Sequence, residues 1–128
     1  MNHPYQIEFA QHSGYLRVAV RGPNTAETIG RYLADTHAAC QRLAQKRVMM
    51  IVDLHGPGMS MLDVYKAVAA GLDVVAGSGI RAAYVDLREH SVANMLLAEN
   101  VAMTRGLPMR TFRDIAAAET WLLGEPAH

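Results

Sequence analysis

Asp53 and His55 stand two residues apart, and Gly56-Pro57-Gly58 and Ser60 follow at once. An aspartate and a histidine at that spacing could work as an acid/base pair. A hydroxyl in the first turn of a helix could carry a phosphate, because unpaired backbone N–H groups and the helix dipole favour an anion there. Each reading has a plainer neighbour. Side chains at a strand end often point apart, and no nucleophile sits in a recognisable motif, so Asp53 and His55 read as a polar strand end. Ser60 with Asp63 three residues on has the spacing of a helix cap, and Asp63 would repel a phosphate beside it. The candidate ligand- or partner-binding residues are Asp53, His55, Gly56, Gly58, Met59 and Ser60, with Ser60 also the candidate phosphorylation site.

Other chemistries find less footing. The 56–61 loop lacks the G-x-x-x-x-G-K-[ST] pattern of a P-loop, and Gly77-Ser78-Gly79 lacks the spacing of a dinucleotide fingerprint, so it reads as a turn. His3, His12, His37, His55, His90 and His128 show no metal-ligand spacing. Cys40, the single cysteine, falls in the middle of an apolar helical stripe and reads as a small buried hydrophobe. No metal, no cofactor and no catalytic residue is assigned.

The elements that must position these residues can be read from periodicity. Tyr5 to Ala10 and Tyr15 to Arg21 alternate apolar and polar, and His12-Ser13-Gly14 between them gives a hairpin. Gly22-Pro23-Asn24 breaks the second strand. Asn24 with Glu27 resembles a capping box, and Ile29, Leu33, Thr36, Cys40 and Leu43 form the inner stripe of a helix over about 25–45, with Tyr32 beside them. Val48 to Leu54 is a continuous apolar run, as a central strand covered on both faces requires.

A helix from Ser60 to about Ala76 puts Met61, Val64, Tyr65, Val68, Leu72 and Val75 on one face. Ile80 to Leu87 is a second buried strand. Ser91 is placed to cap a helix ending near Arg105, with Gly106 as its stop. Leu107 to Phe112, interrupted by Pro108, reads as an edge strand. Asp114 caps a last helix with Ile115, Ala118, Trp121 and Leu122 facing inward. The fold class is α/β: a mixed β-sheet with flanking helices in the order ββαβαβαβα.

Composition agrees. The 128 residues are 51% hydrophobic and 19% charged, enough for one domain with a real core over 1–128. Twelve basic and twelve acidic residues cancel, which argues against a nucleic-acid binder that neutralises phosphates. A lone cysteine excludes an intrachain disulfide and fits a reducing cytoplasm. No apolar run is long enough to span a membrane.

Two helices carry apolar residues on a second side. In the helix from Val92 to Arg105, Val92, Met95, Leu96 and Met103 make one stripe, and Leu97 and Val101 fall on the other side. Burial on both sides in so small a domain calls for a second cover, either another subunit through Leu97 and Val101, the preferred reading, or the C-terminal helix of the same chain. Ala67, Ala70, Gly71 and Val74 form a small-residue side of the preceding helix, where a partner could approach closely.

The element order and lengths resemble the STAS superfamily (sulfate transporter and anti-sigma-factor antagonist), in particular its small SpoIIAA-like stand-alone members. The resemblance rests on Val48 to Leu54 ending beside Asp53, on His55 to Asp63, on Arg81 to Asp86, and on Thr111-Phe112-Arg113-Asp114 followed by Glu119-Thr120-Trp121-Leu122. It implies a cytoplasmic protein that acts by binding. Anti-sigma-factor antagonists carry a phosphorylatable serine in an Asp-Ser-Ser-Gly stretch at the corresponding helix start. Here that stretch is absent, and Ser60 is the nearest match. The function expected is a non-catalytic regulatory or protein-interaction module, a homodimer or a binder of a protein partner. A carrier of a small apolar ligand, lipid or nucleotide near His55–Met61, with methionines lining the pocket, is the alternative.

Overall fold

A computed structural model describes residues 5–56, 60–75, 77–87 and 92–124. Five strands and four helices follow in the expected order: β1 (Gln6–His12), β2 (Tyr15–Pro23), α1 (Ala26–Leu43), β3 (Arg47–His55), α2 (Met61–Val75), β4 (Arg81–Asp86), α3 (Val92–Thr104), β5 (Met109–Phe112) and α4 (Ile115–Leu123). The sheet order is β1-β2-β3-β4-β5. Only β1 runs antiparallel, paired with β2 through the two-residue turn at Ser13-Gly14, where Gly14 has φ +90°. The other neighbours are parallel, each joined by a crossover helix.

Alternation along the strands divides the interior in two. Leu16, Val18 and Val20 of β2, Val48, Met50 and Val52 of β3, and Ala82 of β4 point to the face covered by α1, α2 and α3. Tyr15, Met49, Ala83 and Val85 point to the other, where Ala118 and Leu122 of α4 meet them. The apolar run 48–54 is thus the central strand with cover on both sides.

The helices close against one another by size. Gly71 of α2 faces Leu33 of α1, and a Cβ at that position would collide with the Leu33 side chain. The small-residue side of α2 therefore admits α1 of the same chain. Met61 and Tyr65, expected inside, are exposed, and Ala67 and Ala69 are buried with Val64, Val68, Leu72 and Val75.

Helix starts follow the expected chemistry with one correction. Asp114 Oδ1 accepts from the Ala117 amide at 2.8 Å, and Ser60 Oγ accepts from the Asp63 amide at 3.1 Å. The cap of α1, however, is Thr25, whose Oγ1 accepts from the Thr28 amide at 3.2 Å. Asn24 instead donates its amide to the His55 carbonyl at 2.7 Å, because the chain must tie back to the neighbouring strand before the helix begins. The proposed cap at Ser91 lies outside the described residues. Gly106, at φ +77°, ends α3 as expected.

β5 is an edge strand, and α3 guards it. Glu99 Oε2 accepts from the Thr111 amide at 2.7 Å and from its hydroxyl at 2.6 Å. That satisfies a backbone donor which another chain's strand would otherwise seek.

Candidate functional site

The carboxyl ends of the parallel strands β2 to β5 lie along one edge of the sheet, and the crossover helices begin there. Open α/β sheets usually bind ligands at this edge. Period-two alternation sends Asp53 and His55 to the same side of β3, the side of α4. Their side chains converge: His55 Nε2 lies 3.7 Å from Asp53 Oδ1. Arg21, the register partner of Asp53 on β2, brings its Nε to 3.8 Å from Oδ2. The carboxylate is 19% exposed, between an imidazole 50% exposed and a guanidinium 65% exposed.

This corrects the expectation that the two strand-end side chains diverge. Residues two apart on an extended strand share a face, and Arg21 on the facing strand adds a positive charge. The sequence shows Arg21 only as a polar position of an alternating strand; its place beside Asp53 depends on register.

The same edge has a second polar group on the three-helix side. Asp86 at the end of β4 is buried, 4% exposed. The Tyr32 hydroxyl donates to the Tyr84 hydroxyl at 3.3 Å. Burial, with the Asp86 charge added, pushes the Tyr84 phenol up to about 12, and burial drives Tyr32 well above its ordinary value. Both phenols stay protonated, as donors, at neutral pH. Periodicity alone does not reveal this cluster; its signal in the sequence is the pair of polar side chains at 84 and 86 in an otherwise apolar run.

The remaining candidates divide. Gly56 has φ +112°, so the chain leaves β3 through a left-handed residue that a side chain would strain. Gly58 and Met59 lie outside the described residues. Ser60 is exposed, and its hydroxyl holds the first turn of α2. Cys40 is buried, which raises its thiol pKa and keeps it a poor nucleophile. Among the described residues no group of three or more His, Cys, Asp or Glu is placed to hold a metal ion.

Leu97 and Val101, the expected self-association residues, turn toward the chain's own core: Val101 is buried and Leu97 packs against the three-helix cluster. Among the described side chains of α3, the large apolar ones left exposed are Leu96 and Met103. The outer side of α3 is thus the reverse of the one expected, because α3 leans on α2 and β5 through 97, 98, 101 and 102. Of the methionines proposed to line a pocket near His55, Met49 belongs to the α4 side of the core, Met50 to the three-helix side, and Met61 is exposed. A cavity lies at the opposite end of the sheet, under α1 and α2.

Comparison with solved structures fits this architecture. A protein of the DUF3478 family from Shewanella loihica PV-4, described as uncharacterized and as having a SpoIIAA-like fold, superposes with a TM-score of 0.56. The match covers 95% of this chain and 96% of that one at 15% identity. The fold is SpoIIAA-like. No family model matches the chain, and no curated protein matches it. No described helix is long and apolar enough to cross a membrane.

Proposed function

We propose that this SpoIIAA-like chain is a single, non-catalytic interaction domain that docks a second copy of itself through the outer sides of α2 and α3. One observation carries the reading. The large apolar side chains left exposed among the described residues are Met61, Leu62 and Tyr65 of α2, Leu96 and Met103 of α3, and Leu87 just beyond β4. The five on helices belong to α2 and α3, which pack against each other, and none of the six belongs to α1, α4 or the hairpin. Scattered exposed apolar residues need no account, but large ones confined to two packed helices and the adjoining loop support an interaction surface.

Methionine and leucine at such positions adapt to a facing surface, as a symmetric contact between identical patches requires. The Asp53–His55–Arg21 group lies on the α4 side of the sheet, opposite this surface. The half-exposed imidazole, the engaged carboxylate and the Ser60 hydroxyl spent on its helix cap support binding ahead of catalysis.

Light scattering on wild type and on Leu96→Glu tests this. The expected result is a dimeric wild type and a variant that is monomeric with unchanged circular dichroism. A monomeric wild type at tens of micromolar overturns the self-docking.

A further inference from the structure

A sheet edge presents a row of N–H and C=O groups that can template another strand, and proteins normally blunt it. The two edges of this sheet are treated differently. At β5 the Thr111 amide is occupied by Glu99 of α3. β1 has no such guard. Its residues, Gln6–His12, include no lysine and no proline, and its register with β2 is unbroken by a bulge. His12 and Tyr15 close a two-residue turn, so this pair exchanges both of its main-chain bonds, and bonded pairs alternate from there. Gln6, Glu8, Ala10 and His12 thus bond β2. The N–H and C=O groups of Ile7, Phe9 and Gln11 point away from it, and among the described residues no other backbone group bonds them.

The side chains say which strand fits. Glu8, Ala10 and His12 share one side of β1, and all three are exposed. Consider a second β1 laid antiparallel along the edge. Registers that pair at least two of the outward residues with each other have their two-fold axis at Glu8, Phe9 or Ala10. An axis at Glu8 sets carboxylate against carboxylate, whereas axes at Phe9 and Ala10 set Glu8 diagonal to, or directly opposite, His12 of the other copy. An imidazole can donate to a carboxylate in either charge state. We infer that β1 pairs antiparallel with β1 of a second copy, joining two five-stranded sheets into one, with Glu8 and His12 matched twice across the junction. The contact is narrow and mostly main-chain, below the size of a standard stable interface, so its Kd falls in about the millimolar range. It does not rest on the α2–α3 surface, none of whose exposed apolar residues lies in β1.

The test uses Leu96→Glu, which removes the α2–α3 contact, so that β1 pairing closes at two chains. Sedimentation equilibrium up to about 1 mM is expected to show monomer and dimer in equilibrium. Amide exchange should slow at Ile7, Phe9 and Gln11 as the dimer forms, while Glu8, Ala10 and His12 are protected throughout. Adding Gln11→Pro removes an outward donor and spares the β1–β2 ladder, so it should abolish the dimer with unchanged circular dichroism. Adding His12→Glu instead sets carboxylates together and should weaken the dimer about tenfold, and mixing that chain with one carrying Glu8→Lys should restore a dimer of unlike chains. A Leu96→Glu chain that stays monomeric over the whole range, leaving the edge to a strand of another protein, overturns the proposal. So does a dimer that survives Gln11→Pro, or one that gains nothing on mixing the two charge variants.

Discussion

The two faces of the sheet are built to different standards. On one, three helices seal a continuous core that runs from Leu16 and Val20 through Val48 and Val52 to Met109. On the other, α4 alone covers β3, β4 and the start of β2, with Tyr15, Met49, Ala83, Val85, Ala118 and Leu122 as its buried centre. Beyond α4 that face continues over β1 and β2 with Glu8, Ala10, Ala19 and Arg21 exposed. The difference is chemical. The three-helix face is held by apolar burial and hides its polar groups, Tyr32, Tyr84 and Asp86, inside. The α4 face is pinned by polar clamps: the Tyr15 hydroxyl donates to Glu119 at 2.8 Å, and the Arg81 guanidinium lies 3.9 Å from the Trp121 ring centre and donates to the Trp121 carbonyl at 2.9 Å. Stability resides mainly in the first face, while the second orients α4 and leaves Asp53, His55 and Arg21 accessible.

The comparison is sharpened most by truncating one leucine on each face. Leu72→Ala on the three-helix face should lose stability near the top of the about 2–5 kcal/mol range for buried leucines, because α1, α2 and the sheet hold the void open. Leu122→Ala should lie near the bottom, because a single helix can settle into the space. Urea unfolding of both variants measures the gap, and equal losses would remove the distinction.

Alkaline titration probes the buried phenols. In the unfolded chain Tyr84 ionises near its ordinary 10.0, whereas the folded chain holds the proton to about 12. Between those values the unfolded state binds fewer protons, so stability is intact below pH 10 and falls as pH rises toward 12. Tyrosinate absorbance from Tyr32 and Tyr84 should therefore appear together with loss of circular dichroism. All five tyrosines titrating near 10 with the fold intact would contradict the buried placement.

A smaller effect is expected at the clamp. Arg81→Met keeps most of the packing on Trp121 but removes the cation and the bond to the end of α4, and about 1 kcal/mol should be lost. Amide exchange should quicken in α4 and leave α1 and α2 unchanged. A uniform change across the chain would show that α4 is not separately pinned.

Much of the architecture is legible in the sequence because burial writes itself as period. The continuous run 48–54 and the alternation at 15–21 fix which strands are central and which are half-covered. Pro108 marks the edge, and Ser60 and Asp114 announce their helices. What escapes are relations between distant segments. Asp53 meets Arg21 only through the β2–β3 register. Gly71 reads as a possible contact for a partner until Leu33 of α1 is found to need its space. The side of α3 that faces outward cannot be chosen from a helix apolar on both sides: the pattern allows Leu97 and Val101 outside, and the structure exposes Leu96 and Met103. The Thr25 cap was hidden by Asn24, an equally good capping residue one position earlier.

The most direct test of the docking surface is the search for intermolecular NOEs in a sample mixing isotope-labelled and unlabelled chains. The methyls of Leu62, Leu96 and Met103 should show contacts between copies. Contacts confined to Ala10 and Ala19 on the uncovered hairpin, or no contact between copies at all, would contradict the account.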